Sequence, residues 1–320
     1  MKILAVLLSV VSMTVCAQVR PVPTELAGKN ITVIVPFGPG GNTDITARQL
    51  AKTVEQLTGL NVVISNRPGA NGTIATQSLV QSDPNGLTLG QLDTGPSMVN
   101  SIQGLPNTHS KDQLTPVSAS IESSLALIVN ANTSANTVQE FVAQLKQVPR
   151  LNYATVGSIQ TLMTEALLET AQVKGAQAIV YKSQAETLRS VAANDTAFVL
   201  AAIGDAQGLI DANKLKVLAV GSRARLQQVP TIPTLAETYP GMITVNYNGV
   251  FAPKHTPKHI LEYLNWAWSS AVREADTANN IIKRSNVPIG GDLAKAEYFY
   301  ASYYDNRERL YKKYKHLVQN

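Results

Sequence analysis

Val33-Ile34-Val35-Pro36-Phe37-Gly38-Pro39-Gly40-Gly41-Asn42-Thr43-Asp44-Ile45-Thr46-Ala47-Arg48 runs from β-branched residues through a proline- and glycine-rich turn into a helical pattern. A strand is expected over Ile31 to Val35 and a helix over Thr43 to Leu57, so the turn delivers the chain from a strand to a helix N-terminus. Open α/β sheets bind ligands in such loops, beyond the carboxyl ends of their strands. Glycine lets backbone N–H groups approach a ligand closely, and the helix start adds partial positive charge; together they suit an anion. Neither nucleotide motif is present, because G-x-G-x-x-G fails at Thr43 and no Gly-Lys-Ser/Thr follows. Asp44 either caps the helix or faces the ligand.

Outward from this turn the alternation continues. Strands are expected at Val62 to Ser65 and Leu87 to Leu92 with a helix over Thr73 to Gln81, completing one βαβαβ unit. A second unit follows: strands at Leu125 to Val129, Leu151 to Ala154, Ile179 to Tyr181, Phe198 to Ala201 and Lys216 to Val220, with a helix opened by the capping box Thr137-Val138-Gln139-Glu140. After a strand at Val245 to Phe251, Thr256-Pro257 caps a helix to about Arg273. The rest reads as helical apart from breaks near Pro288 and Gly290-Gly291. The chain is expected to cross between units near Ser120 to Leu125 and Thr244 to Phe251, with its C-terminal helices returning to the first.

The composition agrees with two packed lobes. Of 320 residues, 27 are Lys or Arg and 22 Asp or Glu; 44% are hydrophobic and 15% charged, for a formal net charge of +5. Disorder is excluded, and no basic stripe tracks a phosphate backbone, so nucleic acid is not an expected partner. Residues 1–17 read as a signal peptide: Lys2, the apolar run Ile3 to Val11, and Val15-Cys16-Ala17 before a cleavage point. Removal after Ala17 takes away Cys16, the one cysteine in the sequence. Thiol chemistry and disulfides are then ruled out. A lipoprotein would acylate Cys16, but the bulky Val15 before it argues against that. No later segment reaches about 18 uninterrupted apolar residues, so the protein is not expected to be membrane-embedded.

Two further strand-end loops are rich in donors: Asn66-Arg67-Pro68-Gly69-Ala70-Asn71-Gly72 and Asp93-Thr94-Gly95-Pro96-Ser97. Arg67 either grips a carboxylate or is a solvated turn residue. These loops, with Asp83-Pro84-Asn85-Gly86-Leu87-Thr88-Leu89, Tyr153-Ala154-Thr155-Val156-Gly157, Val180-Tyr181-Lys182, Lys214 to Val220, Val229 to Glu237 and Ala252 to Pro257, resemble in order the extracytoplasmic solute receptors of tripartite tricarboxylate transporters, the Bug family.

The resemblance implies a type II periplasmic-binding-protein fold, two α/β lobes joined by a hinge of crossing strands: 18–122 with 252–320 as lobe 1 and 123–251 as lobe 2. It implies a small carboxylate held between them without metal or organic cofactor, delivery to integral membrane transporter subunits, and a periplasmic location. By position it points to Phe37, Gly40, Gly41, Asp44, Thr94 and Ser97 in lobe 1, and to Gly157 and Ser158 in lobe 2. Departures from the family pattern fall in lobe 2. Gly157-Ser158-Ile159-Gln160-Thr161-Leu162 lacks a second glycine and a histidine, and Val180-Tyr181-Lys182-Ser183 carries Ser183 where a glycine is usual. Lys182 faces either cleft or solvent; Asp205 either selects an amino or hydroxyl group or caps the helix after its strand.

Other constellations carry no chemistry. His255 and His259 flank a helix start and do not share a face, so they form no metal pair. Tyr300, Tyr304, Tyr311 and Tyr314 read as a packing stripe, and the basic residues from Arg307 to Lys315 complement a helix end. The four histidines, His109, His255, His259 and His316, lie outside every glycine-rich loop, which weakens a secreted hydrolase and leaves no catalytic set. A sensor that signals to a membrane kinase without transport would use the same fold and site as a transport receptor.

Overall fold

The computed structural model describes residues 20–93, 96–104 and 111–318. The first unit is β1 (Asn30–Val35), α1 (Asn42–Thr58), β2 (Asn61–Asn66), α2 (Thr73–Val80), β3 (Thr88–Asp93) and α3 (Pro96–Ile102). β1 pairs in parallel with β2 on one side and β3 on the other. A parallel strand is covered on both faces, which is why Ile31, Val33, Ile34 and Val35 are all buried. Val33 packs with Leu50, Val54 and Trp268 on one side of the sheet. Ile34 packs with Leu79, Phe251 and Tyr303 on the other.

The strand that follows, β4 (Leu114–Asn130), serves both lobes. Its first part, to Ser124, pairs antiparallel with β9 (Val245–Pro253) in the first sheet. From Leu125 to Asn130 it pairs with β7 (Phe198–Ala202) and β8 (Leu215–Ala219) in the second. The second sheet is completed by β5 (Asn152–Thr155) and β6 (Gln177–Val180). Its helices are α4 (Val138–Leu145), α5 (Gly157–Thr170), α6 (Gln184–Ala193), α7 (Ile203–Asp211) and α8 (Leu235–Thr238). Phe198 stacks on Tyr153 with ring centroids 5.7 Å apart and meets the edge of Phe141 at 5.9 Å, filling one face of this sheet.

The expected crossing at Ser120 to Leu125 is where β4 changes sheets. The second crossing falls at the first residue of the expected span Thr244 to Phe251. β9 pairs with β3 and with the first part of β4, so Val245 to Phe251 lie in the first sheet and the chain crosses at Thr244. This moves the lobe boundary expected after residue 251 to the start of β9. Four hydrogen bonds clasp the two crossings. Leu125 N donates to Thr244 O and Thr244 Oγ1 to Leu125 O, both at 2.8 Å, while Thr244 N donates to Gly221 O and Gly221 N to Ser124 Oγ, both at 2.9 Å.

The tail contains a strand as well as helices. α9 (Lys258–Arg273) covers the first sheet, and α10 (Ala275–Lys283) leads into β10 (Asn286–Pro288), which pairs antiparallel with β4. The break expected near Pro288 is therefore an edge strand, a place where proline's missing donor costs no ladder bond. α9 begins at Lys258 with Pro257 as its N-cap, and the Thr256 hydroxyl bonds Pro253 O instead of capping the helix. α11 (Leu293–Tyr314) starts on lobe 1, where Tyr303 stacks on Tyr247 at 5.4 Å, and ends on lobe 2, where Lys313 and Tyr314 both reach Glu169 of α5. It thus spans the lobes instead of returning to the first alone. Among the described residues no helix is long and apolar enough to cross a membrane.

Gly221 has no room for a side chain: a Cβ there would lie 1.9 Å from Thr244 Oγ1 and 2.5 Å from two carbonyl oxygens of the crossing strands. We expect Gly221→Ala to cost about 1–3 kcal/mol, the usual range for overpacking, in a urea unfolding titration. Gly41→Ala is the control, since a Cβ at Gly41 meets only Gly38 O at 3.8 Å. Equal unfolding midpoints for the two variants would contradict the clasp.

Candidate functional site

The turn between β1 and α1 is held from behind by a buried acid. Asp44 is 1% exposed. Its Oδ2 accepts from Gly40 N at 2.9 Å and from Arg48 Nε at 3.0 Å, and its Oδ1 accepts from Asn66 Nδ2 at 2.8 Å. Asn66 Nδ2 also donates to Phe37 O at 2.9 Å, tying the turn to the end of β2. Burial alone would raise the Asp44 carboxyl, but Arg48 and the Gly40 and Asn66 donors outweigh it and hold the group below the usual carboxylate range. Both oxygens are therefore engaged inside the protein. Asp44 shapes the loop.

In front of the loop the glycines face open space. A Cβ on Gly38 or Gly40 would meet nothing within 4 Å. Gly40 is the residue whose backbone needs glycine, with φ at +88°; Gly41, the N-cap of α1, is extended with φ −74° and ψ 166°. No side chain caps α1, so its first turn presents backbone N–H groups without a side-chain acceptor. Thr43 is not available to a ligand. Its hydroxyl donates to Asn248 Oδ1 at 3.0 Å, and Asn248 Nδ2 in turn reaches Asp93 Oδ2 at 3.3 Å, joining α1, β9 and β3.

Asn42, the first residue of α1, is a hub that sequence reading missed. Its Nδ2 donates to Ser123 Oγ at 3.0 Å, and its Oδ1 accepts from Arg284 at 2.6 Å and Asn286 Nδ2 at 3.0 Å. Arg284, between α10 and β10, is thereby placed beside the loop. Its backbone reaches lobe 2 as well, since a Cβ on Gly204 would lie 3.6 Å from Arg284 O. The next residue is Asp205, which is exposed yet crowded by protein on most sides; that crowding raises its carboxyl, and Arg284 opposes the rise. Burial in turn lowers the Arg284 guanidinium, with Asp205 opposing. The capping alternative for Asp205 fails, because Ala202 is the N-cap of α7 and no side chain bonds there. The signal for Arg284 was the polar run Arg284-Ser285-Asn286 in a stretch read as helical, where Ser285 in fact takes a φ of +57°.

The remaining expected residues divide. Phe37 is half-buried in the loop. Gly157 opens α5 with φ +73°, and Ser158 beside it is half-buried. Gln160 fills behind them, its amide reaching Leu200 O and Gln184 Oε1. Lys182 is exposed, and Ser183, where the family usually has glycine, is the N-cap of α6, accepting from Glu186 N at 3.3 Å. Arg67 is exposed and bonds Val35 O through its backbone N–H. Thr94 lies outside the described residues; Ser97 falls in α3. His259 meets Glu25 at 3.0 Å on the surface, and no group of three metal-ligating side chains occurs among the described residues.

Comparison with known proteins agrees with this architecture. BugT of Bordetella pertussis is 30% identical over 269 residues, covering 81% of each chain. A TctC solute binding protein from Polaromonas superposes with a TM-score of 0.78 at 24% identity, over 90% of this chain and 99% of that one. MatC from Rhodopseudomonas palustris, solved with bound malate, gives 0.72 at 23%, over 88% and 98%. The type II periplasmic-binding-protein fold expected from sequence is thus present. The model of the tripartite tricarboxylate transporter family receptor matches residues 46–314, and the chain belongs to that family of solute receptors, which are not enzymes.

Proposed function

We propose that this protein is a periplasmic receptor that captures a small carboxylate between its lobes and delivers it to the membrane subunits of a tripartite transporter. The observation that carries the reading is the loop Pro36 to Gly41: its own acid is locked from behind by Asn66 and Arg48, while its glycines and the uncapped start of α1 face open space. Such a surface offers backbone donors and a helix dipole to an anion. Family membership supports delivery, and the malate held by MatC is of the expected ligand class.

In this reading Phe37, Gly40, Gly41, Thr94 and Ser97 receive the carboxylate from lobe 1, with Asp44 positioning the loop. Gly157, Ser158, Lys182 and Asp205 close over it from lobe 2. Arg284, added by the structure, supplies a guanidinium next to the helix start. Asp205 opposite it favours ligands that also carry a hydroxyl or amino donor. No metal or cofactor takes part, and the signal peptide ends at Ala17.

Titration calorimetry against mono-, di- and tricarboxylates, hydroxy acids and amino acids tests the assignment; a chain that binds none of them ends it. Affinity should be unchanged by EDTA. Gly41→Val keeps an allowed backbone, because an extended φ suits a β-branched residue, yet it should weaken binding by about tenfold or more, or about 1.4 kcal/mol. Thr43→Ala should act on stability instead, by about 1 kcal/mol from the lost Asn248 bond, with affinity little changed. Wild-type affinity in Gly41→Val would place the carboxylate elsewhere.

A further inference from the structure

Behind the crossing strands lies a polar cavity of 250 Å³ that none of the loop residues Pro36 to Asp44 lines. Arg223, Arg307 and Arg309 line it together with Ser302, Tyr303 and Asn306, and none of its lining residues is acidic. Arg307 is 2% exposed, and among the described residues no carboxylate forms an ion pair with it. Its terminal nitrogens donate to neutral acceptors: Val245 O at 2.6 Å, Asn306 Oδ1 at 2.8 Å and Asn246 Oδ1 at 3.3 Å. Its Nε is buried without a partner, and its guanidinium lies 5.5 Å from the Tyr303 ring centre. A buried guanidinium whose direct hydrogen bonds all go to neutral oxygens, and whose Nε has none, is only partly compensated by a carboxylate that does not touch it. Asp93 of β3 acts on the Arg307 guanidinium from a distance, without an ion pair, while Glu122 is taken by the Tyr303 hydroxyl and stands 3.8 Å from Arg223 Nε.

We propose that this cavity is an oxyanion site, separate from the carboxylate loop, that takes an ion of the size and charge of phosphate or sulfate. The lining agrees: three arginines border a small polar volume whose two hydroxyls, on Ser302 and Tyr303, already donate to Phe299 O and Glu122, and arginine forks suit tetrahedral oxyanions. The walls also come from both sides of the crossing. Arg223 follows the clasp residue Gly221, Arg307 braces Val245 at the head of β9, and α11 carries Arg307 and Arg309. An ion seated there bears on the segment about which the lobes move.

The test is titration calorimetry with inorganic phosphate at constant ionic strength, with sodium chloride as the compensating salt and sulfate as a second probe. Thermal melts run alongside. Wild-type protein should bind one phosphate and melt higher in phosphate than in chloride. Arg223→Gln and Arg309→Gln, both at exposed side chains and therefore expected to fold, should each weaken binding by about tenfold, the loss of one charge-assisted contact. Gly41→Val should bind phosphate as wild type does. The proposal is overturned if the Arg223→Gln/Arg309→Gln double variant binds phosphate unchanged, if chloride raises the melt equally, or if Gly41→Val abolishes the phosphate signal, which would put the ion in the carboxylate loop.

Discussion

Everything in this molecule hangs on β4 being shared by two sheets. A strand that pairs with β9 up to Ser124 and with β7 and β8 from Leu125 must change neighbours in the middle of the protein, where an unpaired backbone group is expensive. The clasp at Gly221 and Thr244 meets that demand with three backbone carbonyls and two hydroxyls. It also explains why this part of β4 is Ser118, Ser120, Glu122, Ser123 and Ser124, all buried: their hydroxyls and carboxylate bond to Ser269, Gln91, Tyr303, Asn286 and Gly221. A purely apolar strand would leave those partners unsatisfied.

The same economy of polar groups builds the ligand loop. Asp44, Asn66, Asn42, Thr43 and Asn248 all look like ligand contacts when read as residue types, yet each is engaged inside the protein. What they leave facing the cleft is backbone, a few glycines and the first turn of α1. Under the proposed function, a site made this way would recognise a carboxylate group and say little about the rest of the ligand. In that reading selectivity would fall to side chains beside the loop, of which Arg284 and Asp205 act on each other electrostatically from the two sides.

The strand-loop-helix at Val33 to Arg48 was legible because β-branched residues, glycines and helical periodicity change over within a few residues, and β1 and α1 lie where those signals put them. β10 and the first part of β4 were not, for one reason: their polar residues are satisfied by side chains from remote sequence. Asn286 is bound to Ser123 and Asn42, so a segment that scans as a helix break becomes a buried edge strand. Arg284 escaped for the same cause, since its meaning depends on Asn42, 242 residues away. Aspartate at a helix start also misleads: Asp44 and Asp205 are each the third residue of their helices, but one is enclosed by donors and the other has no side-chain capping bond.

α11 adds a constraint on how the lobes can move. Its first half is fixed to lobe 1 by the packing of Phe299, Tyr300 and Tyr303 on Tyr247 and Phe251, a buried aromatic cluster whose loss would expose large apolar rings. Its last turns meet lobe 2 through the partly buried Leu310 and through Lys313 and Tyr314 on Glu169, where the ion pair is exposed and screened by solvent. If the lobes rotate about the clasp, the cheaper end gives way first. In such a rotation the helix would travel with lobe 1 as a rigid arm, its tip releasing α5 before the aromatic cluster is disturbed.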